Sequence, residues 1–139
     1  MIILDTNVLS ELLRAVPEPA VAVWVARQPL DTLFSTTVTQ AEMLYGVKLL
    51  PSGQRRQQLE DAVLTLFSED FLGRVLPFDG DAAIVYAAIA AERKRIGRPI
   101  SQFDAQIAAI AQSRAGLLAT RNVNDFADCG LRIINPWQS

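Results

Sequence analysis

Met1-Ile2-Ile3-Leu4-Asp5-Thr6-Asn7 opens the chain with an apolar run that has no helical period and ends in three polar residues. Such a run reads as a strand buried on both faces, the kind found in the middle of a parallel sheet. In an open α/β sheet, ligands bind in the crevice outside the carboxyl ends of the strands, where loops carry side chains on a rigid support. Asp5, at the tip of this strand, is therefore expected to face such a crevice.

The rest of the chain alternates in the same style. A short helix from Val8 to Leu13 is expected, then Pro17-Glu18-Pro19 and an amphipathic helix through Trp24 and Val25, with Pro19 in its first turn. Thr32 to Thr37 reads as a second strand, Thr39 to Leu50 as a helix that stops before Pro51, and Ser52 to Phe67 as a charged amphipathic helix. Val75-Leu76-Pro77 reads as a short strand, and Asp81 to Ile96 as an alanine-rich helix ended by Gly97. Ser101 to Ala115 repeats that helical grammar with Gly116 beyond it. Leu117 to Thr120 and Leu131 to Ile134 supply a fourth and a fifth strand. This alternation predicts one α/β domain over residues 1–139, with a central, mostly parallel sheet of about five strands and helices on both faces. The segment from Ala82 to Ala91 suits either core or a dimer face, and core is the reading preferred.

Composition narrows the chemistry. The chain has 139 residues, half of them hydrophobic, enough for a sizeable core without disulfides. No apolar stretch approaches the ~18 residues of a membrane span, and no basic segment precedes the first apolar run, so a cytoplasmic protein is expected. Cys129 has no second cysteine to pair with and reads as an incidental thiol. Histidine is absent, which removes the commonest general base, the usual zinc ligand and every nucleophile that relies on imidazole. Chemistry here must run on oxygen ligands, and clustered carboxylates suit hard ions such as Mg²⁺ or Mn²⁺. The formal net charge of −2 gives no overall basic field for nucleic acid. Arg55-Arg56, Arg93-Lys94-Arg95 with Arg98, and Arg121 are local cations that face either phosphate or plain solvent.

Three more acids share one local pattern: Thr39-x-x-Glu42, Ser101-x-x-Asp104 and Asn122-x-x-Asp125 each place a carboxylate three residues after a candidate N-cap. That is the grammar of a capping box, which satisfies an orphan backbone donor without doing chemistry. Capping does not account for the recurrence of acids together with Asp5 at a strand tip, so a shared site explains the set better.

With these residues in view, the sequence resembles the PIN-domain ribonucleases, and within them the VapC-type toxins of bacterial toxin–antitoxin pairs, on their FitB-like branch. The resemblance covers nearly the whole chain. It rests on Ile3-Leu4-Asp5-Thr6-Asn7-Val8, on Thr39-Gln40-Ala41-Glu42-Met43-Leu44-Tyr45-Gly46, on Gly97-Arg98-Pro99-Ile100 leading to Asp104-Ala105-Gln106-Ile107-Ala108-Ala109, and on Thr120-Arg121-Asn122-Val123-Asn124-Asp125-Phe126. It implies that Asp5, Glu42, Asp104 and Asp125 form a catalytic, metal-binding quartet for Mg²⁺ or Mn²⁺, with Asp5 and Asp104 closest to the ion. Asn7, Thr120 and Arg121 are implied substrate-binding positions. Asp79 also fits a recurring family position, but it reads better as the entry to the following helix. The departures are Ser101-Gln102-Phe103, where relatives often carry glycine, and Arg121, where many have asparagine.

The resemblance further implies cleavage of an RNA phosphodiester by metal-activated water, leaving a 5′-phosphate and a 3′-hydroxyl. It implies a homodimer silenced by a cognate antitoxin of the VapB or FitA kind, with DNA bound only through that partner. Two other readings compete. A non-catalytic module keeping the fold would bind RNA or protein without cutting, though mutually repelling acids would stabilise nothing there. An Asp-based phosphatase or phosphoacceptor would also place an aspartate at the first strand's tip. However, Asp5-Thr6-Asn7 lacks the second aspartate of an Asp-x-Asp pattern, and the only lysines are Lys48 and Lys94.

Overall fold

The computed structural model describes residues 1–138. Its elements follow one another as β1 (Ile2–Leu4), α1 (Thr6–Leu12), α2 (Pro19–Arg27), β2 (Leu33–Thr36), α3 (Thr37–Lys48), α4 (Gln54–Thr65), β3 (Val75–Leu76), α5 (Gly80–Arg95), α6 (Gln102–Ser113), β4 (Leu117–Ala119) and β5 (Arg132–Ile134). A wide helical turn over Leu66–Asp70 extends α4. The five strands form one sheet in the order β3-β2-β1-β4-β5, and every pairing is parallel. The α/β expectation holds, with β2 to β5 each one or two residues shorter than its predicted run.

The two-residue period of β1 divides the interior. Ile3 points to one face, with its register partners Phe34 and Leu118 and, beyond Leu118, Ile133. These side chains pack under α5 and α6 against Ala82, Ile89, Ile107 and Ile110. Leu4 and Ala119, paired across the strands, point to the other face and meet Val8, Val21, Trp24, Met43 and Val63 from α1 to α4. A central strand covered on both sides has no polar face, which is why the opening run is continuously apolar. The order 3-2-1-4-5 means that the chain turns to opposite sides of β1, so the switch point lies between the tips of β1 and β4.

Helix ends fix where the site loops start. Gly97, at φ +77°, follows α5 and donates to the Lys94 carbonyl at 3.1 Å, while the Arg98 N–H reaches the Arg93 carbonyl at 2.8 Å. That is a Schellman turn, and its left-handed residue is the expected glycine. After α6 the same turn forms one residue earlier than expected. Ala115 takes the left-handed position at φ 54°, and the Gly116 N–H reaches the Ala111 carbonyl at 2.9 Å. Gly116 answers to space instead, since a Cβ there would stand 2.3 Å from Ile3 Cδ1.

The alanine-rich helix α5 is core on one side only. Ala82 and Ile89 are buried, whereas Ala83, Ile84, Ala87, Ala88 and Ala91 face outward. On β2, the Ser35 hydroxyl is the one buried side-chain polar atom among the described residues without a hydrogen bond. Burying an unpartnered hydroxyl costs about 1–3 kcal/mol. Ser35→Ala is therefore expected to raise the unfolding free energy by about 1 kcal/mol in urea titration. A loss of stability would show that the hydroxyl is satisfied after all.

Candidate active site

Asp5 leaves β1 with its backbone still in the ladder, its N–H donating to the Ala119 carbonyl at 2.9 Å. Its side chain is 4% exposed and caps α1, accepting from the Thr6 N–H at 2.8 Å. This cap starts the helix at Thr6 rather than at Val8. The other carboxylate oxygen accepts from the Thr120 hydroxyl at 2.7 Å and from Asn7 Nδ2 at 3.3 Å. Thr120 is held at the tip of β4 by its own N–H, which donates to the Ile134 carbonyl at 2.9 Å. The first acid is thus gripped across the switch point of the sheet.

Glu42 arrives from β2 by a different route than its sequence pattern suggests. Thr36, not Thr39, caps α3, accepting from the Thr39 N–H at 3.0 Å. Glu42 consequently sits in the second turn, where no capping role is open to it. It accepts the Thr6 hydroxyl at 2.8 Å, and that hydroxyl also contacts the Thr39 hydroxyl at 3.0 Å. Asp104 lies in the first turn of α6, where its N–H donates to the Ser101 hydroxyl at 3.2 Å. Of the three expected capping patterns, this cap alone forms. Asn122 makes no side-chain cap on the short turn Val123–Phe126 that carries the exposed Asp125. Phe126, buried in the core beside α6, anchors that turn.

Electrostatics show which acids face one another. Burial chiefly pushes the Asp5 carboxyl from 3.8 up to about 6; hydrogen bonds from Thr120 and Thr6 oppose this, and the charges of Asp104 and Glu42 add to it. Glu42 is raised by burial, against its bond from Thr6 and with a further push from Asp104. Asp104 is raised by burial, and Asp125 adds to that while Arg93 pulls it down. Repulsion between like charges links all four acids in this way. Charge couples them, yet among the described residues no three of them stand close enough to enclose an ion.

The expected substrate-binding residues divide. Thr120 is fully buried, and its hydroxyl also accepts from Asn7 Nδ2 at 3.3 Å and from the Asn122 N–H at 3.1 Å. With both lone pairs and its proton engaged, Thr120 braces Asp5 in this structure. Asn7 is similarly committed, its Oδ1 accepting from the Arg121 N–H at 3.3 Å. Arg121 is exposed at the rim with its guanidinium 5.2 Å from the centre of the Trp137 ring, a cation–π arrangement. Asp79 does cap α5, accepting from the Ala82 N–H at 3.0 Å, and pairs with Arg114 at 3.2 Å. Thr6 is the residue that sequence reading missed; nothing but its place between Asp5 and Asn7 marks it.

Beside Thr6 and Glu42 opens a cavity of about 910 Å³ between α1, α3 and α4. Its walls are mostly apolar, including Leu13, Met43, Val47 and Leu59, with Arg14 and Arg55 among the lining residues.

Comparison with known proteins agrees with this architecture. Residues 2–130 match the PIN domain. The chain is 43% identical over 142 residues to a VapC ribonuclease, Y4jK, of Sinorhizobium fredii, with 99% of each chain covered. It is 38% identical to Toxin FitB of Neisseria gonorrhoeae, again over 99% of both. The structure of FitAB bound to an IR36 DNA fragment superposes with a TM-score of 0.91 at 37% identity, covering 99% of this chain and 96% of that one. A parallel sheet with acids gathered at its switch point, and relatives aligned from end to end, lead to one assignment: the chain belongs to the PIN domain family, among the VapC-type toxins of the FitB-like group.

Proposed function

We propose that this chain is a metal-dependent endoribonuclease, the toxin of a toxin–antitoxin pair, hydrolysing RNA phosphodiester bonds by attack of water in the presence of Mg²⁺ or Mn²⁺. The observation that carries this reading is Asp5, an acid buried at the tip of the central strand and coupled by charge to Asp104 and Glu42. The relatives named as ribonuclease and toxin support it.

The donor set fits a hard divalent cation, since every candidate ligand is a carboxylate oxygen. Mg²⁺ keeps most of its waters and binds through one or two carboxylates, so a closed cage of three is not required. Asp5 and Asp104 would hold the ion, with Glu42 and Asp125 beside them. When bound, it would lower the pKa of water toward neutrality and offset charge on the phosphoryl oxygens.

The chain's own groups do the positioning. The Thr6 N–H and the Thr120 hydroxyl hold Asp5 in one orientation, and the Thr6 hydroxyl fixes Glu42. Glu42 or Asp125 orients the attacking water, and Arg121 at the rim aligns the phosphate. The products are a 5′-phosphate and a 3′-hydroxyl. The test is cleavage of structured cellular RNA with Mg²⁺, with Mn²⁺ and with chelator. Metal-dependent cuts support the reading, whereas equal cutting in chelator overturns it.

An antitoxin of the FitA kind is the proposed partner, and the apolar cavity beside Glu42 is where a segment of it would seat. The likeness to FitAB supports the partner, and the apolar lining of the cavity supports the place. A homodimer is proposed through the outer face of α5, where Ile84 is 74% exposed among small alanines. Ile84→Glu is expected to halve the mass seen by light scattering, and an unchanged dimer would move the interface elsewhere. Among the described residues no helix is long and apolar enough to cross a membrane.

A further inference from the structure

Arg93 is 4% exposed, the only buried cation among the described residues, and no carboxylate there forms an ion pair with it. Three backbone carbonyls take the place of a counter-ion. Nε donates to the Arg98 carbonyl at 2.7 Å, and Nη1 donates to the Asp125 carbonyl at 2.8 Å and to the Ala127 carbonyl at 3.0 Å. Cys129 Sγ lies 3.5 Å from the same nitrogen. The Arg98 N–H returns a bond to the Arg93 carbonyl, so side chain and backbone close on the Schellman turn from both sides.

These acceptors belong to two separate loops. Arg98 begins the segment that leads through Ser101 to Asp104, and Asp125 and Ala127 belong to the segment after β4. Arg98 adds a second tie between the same loops through Asp128 at 2.9 Å and the Asn124 carbonyl at 3.4 Å. Burying a guanidinium without an ion partner is expensive, and a neutral side chain would fill the space at lower cost. A flat fork of N–H donors can hold two loops at once, and its charge stands under two acids that repel each other. The pull of Arg93 on Asp104 agrees with that placement.

We propose that Arg93 is the positioning residue of the Asp104–Asp125 pair, setting the spacing of the two acids by gripping the backbone of both loops. This rests on the proposed nuclease reading for its catalytic consequence, but the linkage can be measured without it. Arg93→Met and Arg93→Lys are compared with the unaltered protein in two assays at a temperature where all three are folded. In amide hydrogen exchange, Arg93→Met is expected to speed exchange in both 98–104 and 122–129, leaving β1 and β2 unchanged, and Arg93→Lys to do so less. Loosening of one segment alone, or of the whole domain equally, overturns the proposal. In RNA cleavage with Mg²⁺, a small misplacement of catalytic groups is worth about 10²-fold in kcat with KM little changed. Arg93→Lys is expected to recover part of that loss. Folded variants with kcat within about twofold of the unaltered protein would likewise overturn it, because the fold would then be all that Arg93 serves. If the unaltered protein cuts no RNA, the nuclease reading falls and the exchange data alone decide the linkage.

Discussion

Asp5→Asn and Asp104→Asn are each expected to slow RNA cleavage by about 10³-fold or more while leaving the protein folded. The size follows from what each carboxylate does. Removing a single preorganised group from a low-dielectric site costs about 10²–10³ in rate, and these two acids also hold the cation through their charge. Asparagine keeps the shape of Asp5. Its carbonyl can still accept from the Thr6 N–H, and the Thr120 hydroxyl can receive the new amide by releasing Asn7 Nδ2. The loss should therefore appear in kcat, with far-ultraviolet circular dichroism unchanged. Asp125→Asn supplies the internal scale, because Asp125 is exposed; a loss of about 10², the low end for a positioned acid or base, is expected there. Full cleavage by Asp5→Asn or Asp104→Asn, in protein free of contaminating nuclease, would remove the quartet from the chemistry. Equal losses for all three acids would mean that burial does not rank them.

Those two acids were legible in the sequence for different reasons. Asp5 was placed by the apolar run before it, because a strand covered on both faces has one readable signature and one exit. Asp104 was placed by Ser101, whose cap forms as its spacing predicts. Glu42 and Asp125 were found as residues but not as geometry. Thr36, Thr37 and Thr39 all qualify as caps for the same helix, and propensity does not choose among them. The choice fell to Thr36 because β2 runs to that residue, which moved Glu42 inward by most of a turn and onto Thr6. The bracing done by Thr120 and Asn7 was not legible for a related reason. A polar residue at a strand tip looks like a ligand donor, whereas in this fold both also hold Asp5. Arg93 was hidden by its neighbours in a run of three cations. Its spacing of four from Ile89 places it on the buried side of the helix, which a period-3.6 reading of α5 contains. Ala115 could not have been foreseen, since local sequence favours the glycine one position later.

Without added metal, the protein is expected to be more stable at pH 5 than at pH 7.5, with Asp5 as the main cause. Its carboxyl is raised from 3.8 to about 6 because burial disfavours the charged form. Below the lower value both folded and unfolded chains are protonated and nothing is lost. Between the two values the unfolded chain gives up its proton while the folded one keeps it, so stability falls as pH rises. Above the upper value the full deficit applies, about 3 kcal/mol from Asp5 alone at 1.36 kcal/mol for each pKa unit. Glu42 and Asp104 are raised as well and act in the same direction. Glu60, lowered by Lys48, acts in the opposite direction, but its effect is confined below its ordinary 4.5 and so lies outside this window. Only the part between pH 5 and about 6 falls inside this window, roughly 1.4 kcal/mol from Asp5, so the urea midpoint should drop by about 0.5–1 M from pH 5 to pH 7.5. Asp5→Asn should remove most of that drop and be the more stable protein at pH 7.5, reversing the usual sign of a buried substitution. Mg²⁺ or Mn²⁺ at pH 7.5 should restore stability to the unaltered protein by binding only the folded state, and should do little for Asp5→Asn. A midpoint that is flat across the window in the unaltered protein would show that Asp5 is ionised and solvated in the fold. A metal effect of equal size in both proteins would place the ion away from the strand tip.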